Sequence, residues 1–280
     1  MRQQNLVGTI ALLAVLSIAG SGAQAFDESK YPDIVGQWRR PVGVGIQWDQ
    51  TKRLGRAQQA PLTPEYQAVF EASLRDQAAG GQGNDPTYKC IPAGMPRIMT
   101  VVFPMEVVIT PKTTYLLFDY SMPRRIYTDG RDWPRELEPN FHGYSIGRWI
   151  DEDGDGRYDV LEVETRGMKG PRSYEATGIP LHENNGTVVK ERIHLDKDNR
   201  DVLHDEITVI DDALLHPWTV TKNYRREHNP IWFDNNCSED NHHVTVRGEN
   251  YFLSGDGYLM PAKKDQVPPD LRYFKQSRKQ

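Results

Sequence analysis

The sequence predicts a mainly β chain closed into an antiparallel barrel. Three observations predict it. From Arg97 to Arg226 the chain runs as short β-rich segments rather than long helical ones. Turn signals separate them, among them Phe103-Pro104, Thr110-Pro111, Asp129-Gly130 and Asp211-Asp212. Several segments alternate apolar and polar residues with period two, as half-buried strands do.

The chain opens MRQQNLVGTIALLAVLSIAGSGAQA, with Arg2 ahead of an apolar run and an Ala23-Gln24-Ala25 end. This reads as a signal peptide over residues 1–25, cut before Phe26. Its apolar run is short for a membrane span, so the product is expected to be periplasmic or secreted, with no membrane span after cleavage. Removing residues 1–25 takes away one arginine and no acid, leaving 33 bases against 39 acids. That mildly acidic, mixed surface argues against nucleic acid and against an anionic membrane surface as partners.

Residues 26–95 read as an N-terminal segment with one helix. Within it Thr63 is an N-cap, Pro64 the first helical residue, and Tyr66, Val69, Phe70 and Leu74 recur at helical spacing up to residue 78. Residues 96–226 read as the barrel, its segments beginning with RIMTVVF and EVVIT and ending with WTVTKNYRR. In 188–195, Val189, Ile193 and Leu195 share a face with Glu191; in 202–210, Leu203, Ile207 and Val209 oppose His204, Glu206 and Thr208. About nine sequential strands with short turns favour an up-and-down, lipocalin-like (calycin-type) barrel over a sandwich. Residues 227–280 read as an irregular tail packed on the barrel. Two cysteines, Cys90 and Cys237, are expected to form a disulfide in an oxidising compartment.

The segment DEDGDGRYDVLE (151–162) fits the calcium-loop pattern D-x-[DN]-x-[DN]-G-x5-E. Asp151, Asp153, Asp155, Arg157 (through its carbonyl), Asp159 and Glu162 stand at the ligand positions, and Gly156 at the sharp turn. The flanks GYSIGRWI and VLEVET read as strands, so the expectation is a calcium-binding hairpin with a structural metal. In a strand from Val160, Glu162 is the ligand least able to reach the ion.

The densest polar group lies around RRIYTDGRDW. Alternation puts Arg125, Tyr127 and Asp129 on one face, and Arg124, Ile126 and Thr128 on the other. If the first face looks into the barrel, Arg125 and Tyr127 bind a ligand, with Arg131 and Arg148 as further ligand-binding cations. Asp129, His142 and Glu191 are the candidate catalytic acids and bases. Glu191, on an apolar face, needs a partner such as Arg125, Arg148 or His204; it is either a structural ion pair or a functional carboxylate. His228, His242 and His243, with Asp234 and Asp240, form only a weak transition-metal pattern. No serine elbow and no phosphate-loop glycines stand in the chain, so a serine nucleophile and a nucleotide cofactor are not expected.

The stretches IYTDGRDWP, GYSIGRWI, VLEVET and KERIHL, with YKCIPAGMPRIM upstream, resemble a largely uncharacterised group of secreted bacterial β-rich proteins. In that group an IYTDGR-type hairpin, a GxSxGxW strand and an ERF-type strand follow one another in this order. The resemblance covers about residues 60–226. It implies secretion and a β architecture, and no particular activity. The group's turn after GxW is short and acidic; the longer calcium-type loop here departs from it.

Two functions follow as expectations. One is binding of a small apolar or aromatic molecule by a calcium-stabilised barrel, which a chain with 8 Phe, 13 Tyr and 6 Trp suits. The alternative is a cofactor-free lyase, isomerase or hydratase using the acid/base residues above.

Overall fold

The structure is a computed structural model and describes residues 26–41, 59–100, 102–233, 235–237 and 242–267. The predicted signal peptide, with Asp234 and Asp240, lies outside the described residues.

Nine strands close a barrel: β1 (Gly36–Arg39), β2 (Met105–Ile109), β3 (Thr113–Phe118), β4 (Ser121–Tyr127), β5 (Tyr144–Ile150), β6 (Val160–Arg166), β7 (Val188–Leu195), β8 (Val202–Ile210) and β9 (Trp218–Arg226). The lipocalin-like barrel expected from the sequence is present, with two corrections. First, it is mixed rather than antiparallel throughout, because β4 and β5 pair in parallel. The connection between them, residues 128–143, is too long for a hairpin and carries the chain back to the end where β4 began. Second, the barrel does not begin at residue 96. β1, from the N-terminal segment, pairs with β2 on one side and β9 on the other and closes the ring. Residues 97–100, expected as strand, form a 3-10 turn whose Ile98 and Met99 are buried.

Alternation sets the core. β7 turns Val189, Glu191 and Ile193 inward, β8 turns Leu203, Asp205, Ile207 and Val209 inward, and β9 turns Trp218, Val220, Lys222 and Tyr224 inward. Trp38 of β1 is fully buried, its ring Nε1 donating to the Ile34 carbonyl at 2.8 Å. The barrel is a packed core, as barrels of this size are when side chains fill them. At its centre, the cavity bounded by Met105, Thr114, Leu161, Asp205 and Tyr224 measures about 10 Å³, roughly the room one water needs.

Helix α1 (Pro64–Ala78) starts where expected, with the Thr63 hydroxyl accepting from the Tyr66 N–H at 3.4 Å. Its buried Phe70 and Ser73 face the protein, Ser73 donating to the Thr177 carbonyl at 3.1 Å. The C-terminal segment is more regular than expected. β10 (His243–Val246), β11 (Glu249–Leu253) and β12 (Leu259–Pro261) form a small antiparallel sheet, tied to the helix end by Lys263 and Asp76 at 2.6 Å. Cys90 and Cys237 form the disulfide, their Cα atoms 5.6 Å apart. No helix among the described residues is long and apolar enough to cross a membrane.

Candidate functional site

The parallel step opens an irregularity in the barrel wall. β4 and β5 share only two paired positions, Ile126 with Ser145 and Tyr127 with Ile146. Upstream of these, β4 runs past the start of β5, and residues 140–143 come alongside instead. Gly94 and Gly143, both at positive φ, let this loop approach closely: a Cβ on Gly94 would lie 2.4 Å from the Phe141 carbonyl oxygen, which accepts from the Met95 N–H at 2.9 Å. The result is a cleft of about 320 Å³ lined by Met122, Arg125, Tyr127, Phe141, His142 and Tyr144.

The cleft gathers three residues singled out from the sequence: Arg125, Tyr127 and His142. Their strand face points outward, not into the barrel; it is Arg124 and Ile126 that are buried. Ile126 decides this. An apolar residue between Arg124 and Thr128 belongs to the core face, and Arg124 goes inward with it. Arg125 is exposed and makes no hydrogen bond or ion pair among the described residues.

His142 fills the gap beside β4. It is 9 % exposed, and its Nε2 lies 3.0 Å from the Ser121 Oγ. Burial, with the Arg124 charge second, pulls the imidazole down to about 4, against an opposing hydrogen bond with the Pro123 carbonyl. The ring is neutral at physiological pH. Ser121 is a residue the sequence did not single out; a bulge in the β3–β4 pairing sets it opposite buried Phe118, on the face away from Arg125 and Tyr127.

Asp129 is otherwise engaged. Arg131 donates to its two oxygens at 2.8 and 2.7 Å. That hydrogen bonding holds the Asp129 carboxyl down to about 2, too acidic to exchange protons near neutral pH. Arg131 also lies over the Tyr127 ring, 3.8 Å from its centre, and reaches the Tyr144 hydroxyl at 3.3 Å. It braces the rim of the cleft.

Glu191 stands apart, inside the barrel at 2 % exposure. Its partner is none of the three residues expected but Arg124. Nη1 donates to Glu191 Oε1 at 2.8 Å and Nη2 to Oε2, while Nη2 also reaches the Thr165 hydroxyl at 3.0 Å. Ser145 and Thr165 hydrogen-bond at 2.8 Å beside them. Asp205 shares this interior: neither of its oxygens has a hydrogen-bond partner among the described residues. Burial, and then the Glu191 charge, raise its carboxyl well above the usual range. Buried Lys222 faces it in register on β9. Asp205 and Lys222 carry the same alternation signal as Glu191, and the sequence reading passed over both.

Arg148 lines a different groove, of about 470 Å³, on the outer face of β5–β8 with Trp133, Glu162, Lys190, Arg192 and Glu206. Its charges are largely spent on one another: Arg148 with Glu162 at 3.7 Å, Arg192 with Glu162 at 2.6 Å, Lys190 with Glu164 at 3.6 Å. Size favours this groove as a binding site; the unpaired cation favours the cleft over β4.

The acidic loop brings together Asp151, Asp153 and Asp159, one oxygen of each lying within 4.8 Å of the others. The backbone wraps the carboxylates: Gly154 and Gly156 donate to Asp151 at 2.7 and 2.9 Å, and Glu152 donates to Asp159 at 2.8 Å. Three carboxylates so close repel one another unless a cation joins them, and the cluster could hold a metal ion. The side chains of Asp155 and Glu162 do not join it. Asp155 Oδ1 accepts from the Arg157 N–H at 2.8 Å. β6 begins at Val160, so Glu162 points along the outer sheet face to Arg192 and Arg148. Among the described residues the histidines form no metal cluster; His228 pairs with Asp201 at 3.1 Å and His243 packs on Phe252.

No family model, curated protein or solved structure matches this chain.

Proposed function

We propose that this is a periplasmic or secreted β-barrel protein, stabilised by calcium, that binds a small aromatic anion in the cleft over β4. The observation that carries the reading is Arg125: an exposed cation without a partner among the described residues, on the wall of a cleft faced with Tyr127, Phe141 and Tyr144. Aromatic walls and one charged group are what orient a small ligand in a pocket of this size. The central cavity of the barrel, at about 10 Å³, offers no comparable volume. The signal-peptide pattern and the disulfide support export. The match to the calcium-loop pattern and the convergence of Asp151, Asp153 and Asp159 support the metal.

Calorimetry with 2-naphthoate tests the ligand reading. The expected dissociation constant is below about 1 mM, and Arg125→Ala weakens binding ~10-fold, the loss of one charge-assisted hydrogen bond. Absence of binding at ~5 mM, against that expected affinity, refutes it. Native mass spectrometry of protein purified without chelator tests the metal: one calcium in wild type and none in Asp151→Asn/Asp153→Ala. A metal-free wild type in calcium buffer reduces the loop to an acidic turn.

A further inference from the structure

We propose that the centre of the barrel binds one water molecule, held between Thr114, Asp205 and Tyr224. The site is separate from the cleft over β4 and does not depend on the ligand bound there.

Three strands send a polar side chain into an interior that is otherwise largely apolar. Thr114 stands on β3, Asp205 on β8 between Leu203 and Ile207, and Tyr224 on β9. Period-two alternation turns each of them inward with its apolar neighbours. Thr114 and Asp205 are fully buried, and Tyr224 is 3 % exposed. All three line the cavity of about 10 Å³, whose other walls include Met105, Leu161 and Ile193. Purely apolar cavities stay dry. One with room for a water and roughly two to four polar partners takes a water up.

The hydrogen bonds these side chains still lack fix the water's place. The Thr114 hydroxyl and both Asp205 oxygens have no hydrogen-bond partner among the described residues. Lys222 faces Asp205 in register on β9, yet it is not hydrogen-bonded to those oxygens. Polar groups left unpaired in an interior are costly. Tyr224 donates its hydroxyl proton to the Met99 carbonyl, so it offers the cavity only an acceptor oxygen. Asp205 keeps an acceptor oxygen whether or not it is protonated. The Thr114 hydroxyl is the donor. A water has the complementary set: it donates to Asp205 and Tyr224 and accepts from Thr114. That makes about three bonds, the usual number for a buried water.

A sodium ion would fit the same space, and charge decides against it. Arg124 and Lys222 are already buried here against Glu191 and Asp205. A further cation would set three positive charges against two in a low-dielectric interior. With walls this buried, the water leaves only when the barrel opens locally, far more slowly than water exchanges at a surface.

The test is a crystal structure of the wild-type protein grown in sodium chloride. The expected result is one density peak about 2.7–3.0 Å from Asp205, Thr114 Oγ1 and the Tyr224 hydroxyl, the spacing of hydrogen bonds. Contacts of about 2.3–2.5 Å, the spacing of a hard cation, overturn the proposal, as does a map with no peak between the three groups. Oxygen-17 relaxation dispersion is the test in solution, where it counts long-lived waters. Thr114→Val keeps the shape of the side chain and removes the donor, and the count is expected to fall by one from wild type. An equal count in the two proteins overturns the proposal. The crystal experiment uses the wild type, so the proposal stays open to refutation even if Thr114→Val fails to fold.

Discussion

The interior of the barrel and the cleft on its outer wall both draw on the same strand, and adjacent arginines show how differently they use it. Arg124 is 1 % exposed and spends its guanidinium on Glu191 and Thr165. Arg125 is exposed and unpaired among the described residues. One residue of sequence separates a cation locked into the fold from a cation available to a ligand. The two environments also drive their titratable groups to the same end by opposite routes. Burial disfavours the charged form of both, raising the Asp205 carboxyl and lowering the His142 imidazole. Both regions are therefore poor in unpaired charge except where Arg125 stands, which makes that exception informative.

The comparison breaks first at the interior ion pair. Arg124→Ala strands a buried carboxylate and is expected to cost about 3–5 kcal/mol, whereas Arg124→Met with Glu191→Leu recovers most of the loss. Urea unfolding measures both; a single variant within ~1 kcal/mol of wild type would mean that the pair is not sealed. Next comes the acid limb at His142. Its folded value of about 4 lies below the ordinary 6.5, so the unfolded chain takes up the proton first. The contribution is complete above pH 6.5 and is lost as pH falls through about 4, up to about 3 kcal/mol in all. His142→Gln should flatten the stability profile between those limits; an unchanged slope would assign the limb to other groups. The smallest effect belongs to Arg125→Ala, within ~0.5 kcal/mol of wild type in urea, despite its expected ~10-fold cost in naphthoate affinity. A large destabilisation would show that Arg125 serves the fold and erase the contrast with its neighbour.

Most of the barrel was legible because its strands are two-sided. Val189, Ile193, Leu203 and Ile207 announce the inner face by period alone, and α1 is announced by its Thr63-Pro64 start. The parallel step was not legible. A long polar connection such as 128–143 looks like a hairpin loop until the pairing direction is known. β1 was missed because four residues carry too little alternation to stand out. At the site, Arg125, Tyr127 and His142 were found for their chemistry but assigned to the wrong side of the wall. The face of a strand is fixed by its apolar members, here Ile126, rather than by its most reactive ones. The acidic loop was half legible: Asp151, Asp153 and Asp159 of the pattern converge, whereas Glu162 lies past Val160, where the strand has resumed.

The closure of the ring by β1 has a consequence for the order in which the molecule is made. Gly36–Arg39 leaves the ribosome early, yet one of its two partners, Arg225 and Arg226 of β9, is made nearly last. Until then the seven staves β2 to β8 can pair with their neighbours, but the ring stays open and Trp38 has only half its walls. Contacts so far apart in sequence are slow to form and leave strand edges bare meanwhile. A chain stopped before residue 226 is expected to be a sticky open sheet rather than a smaller version of the folded protein.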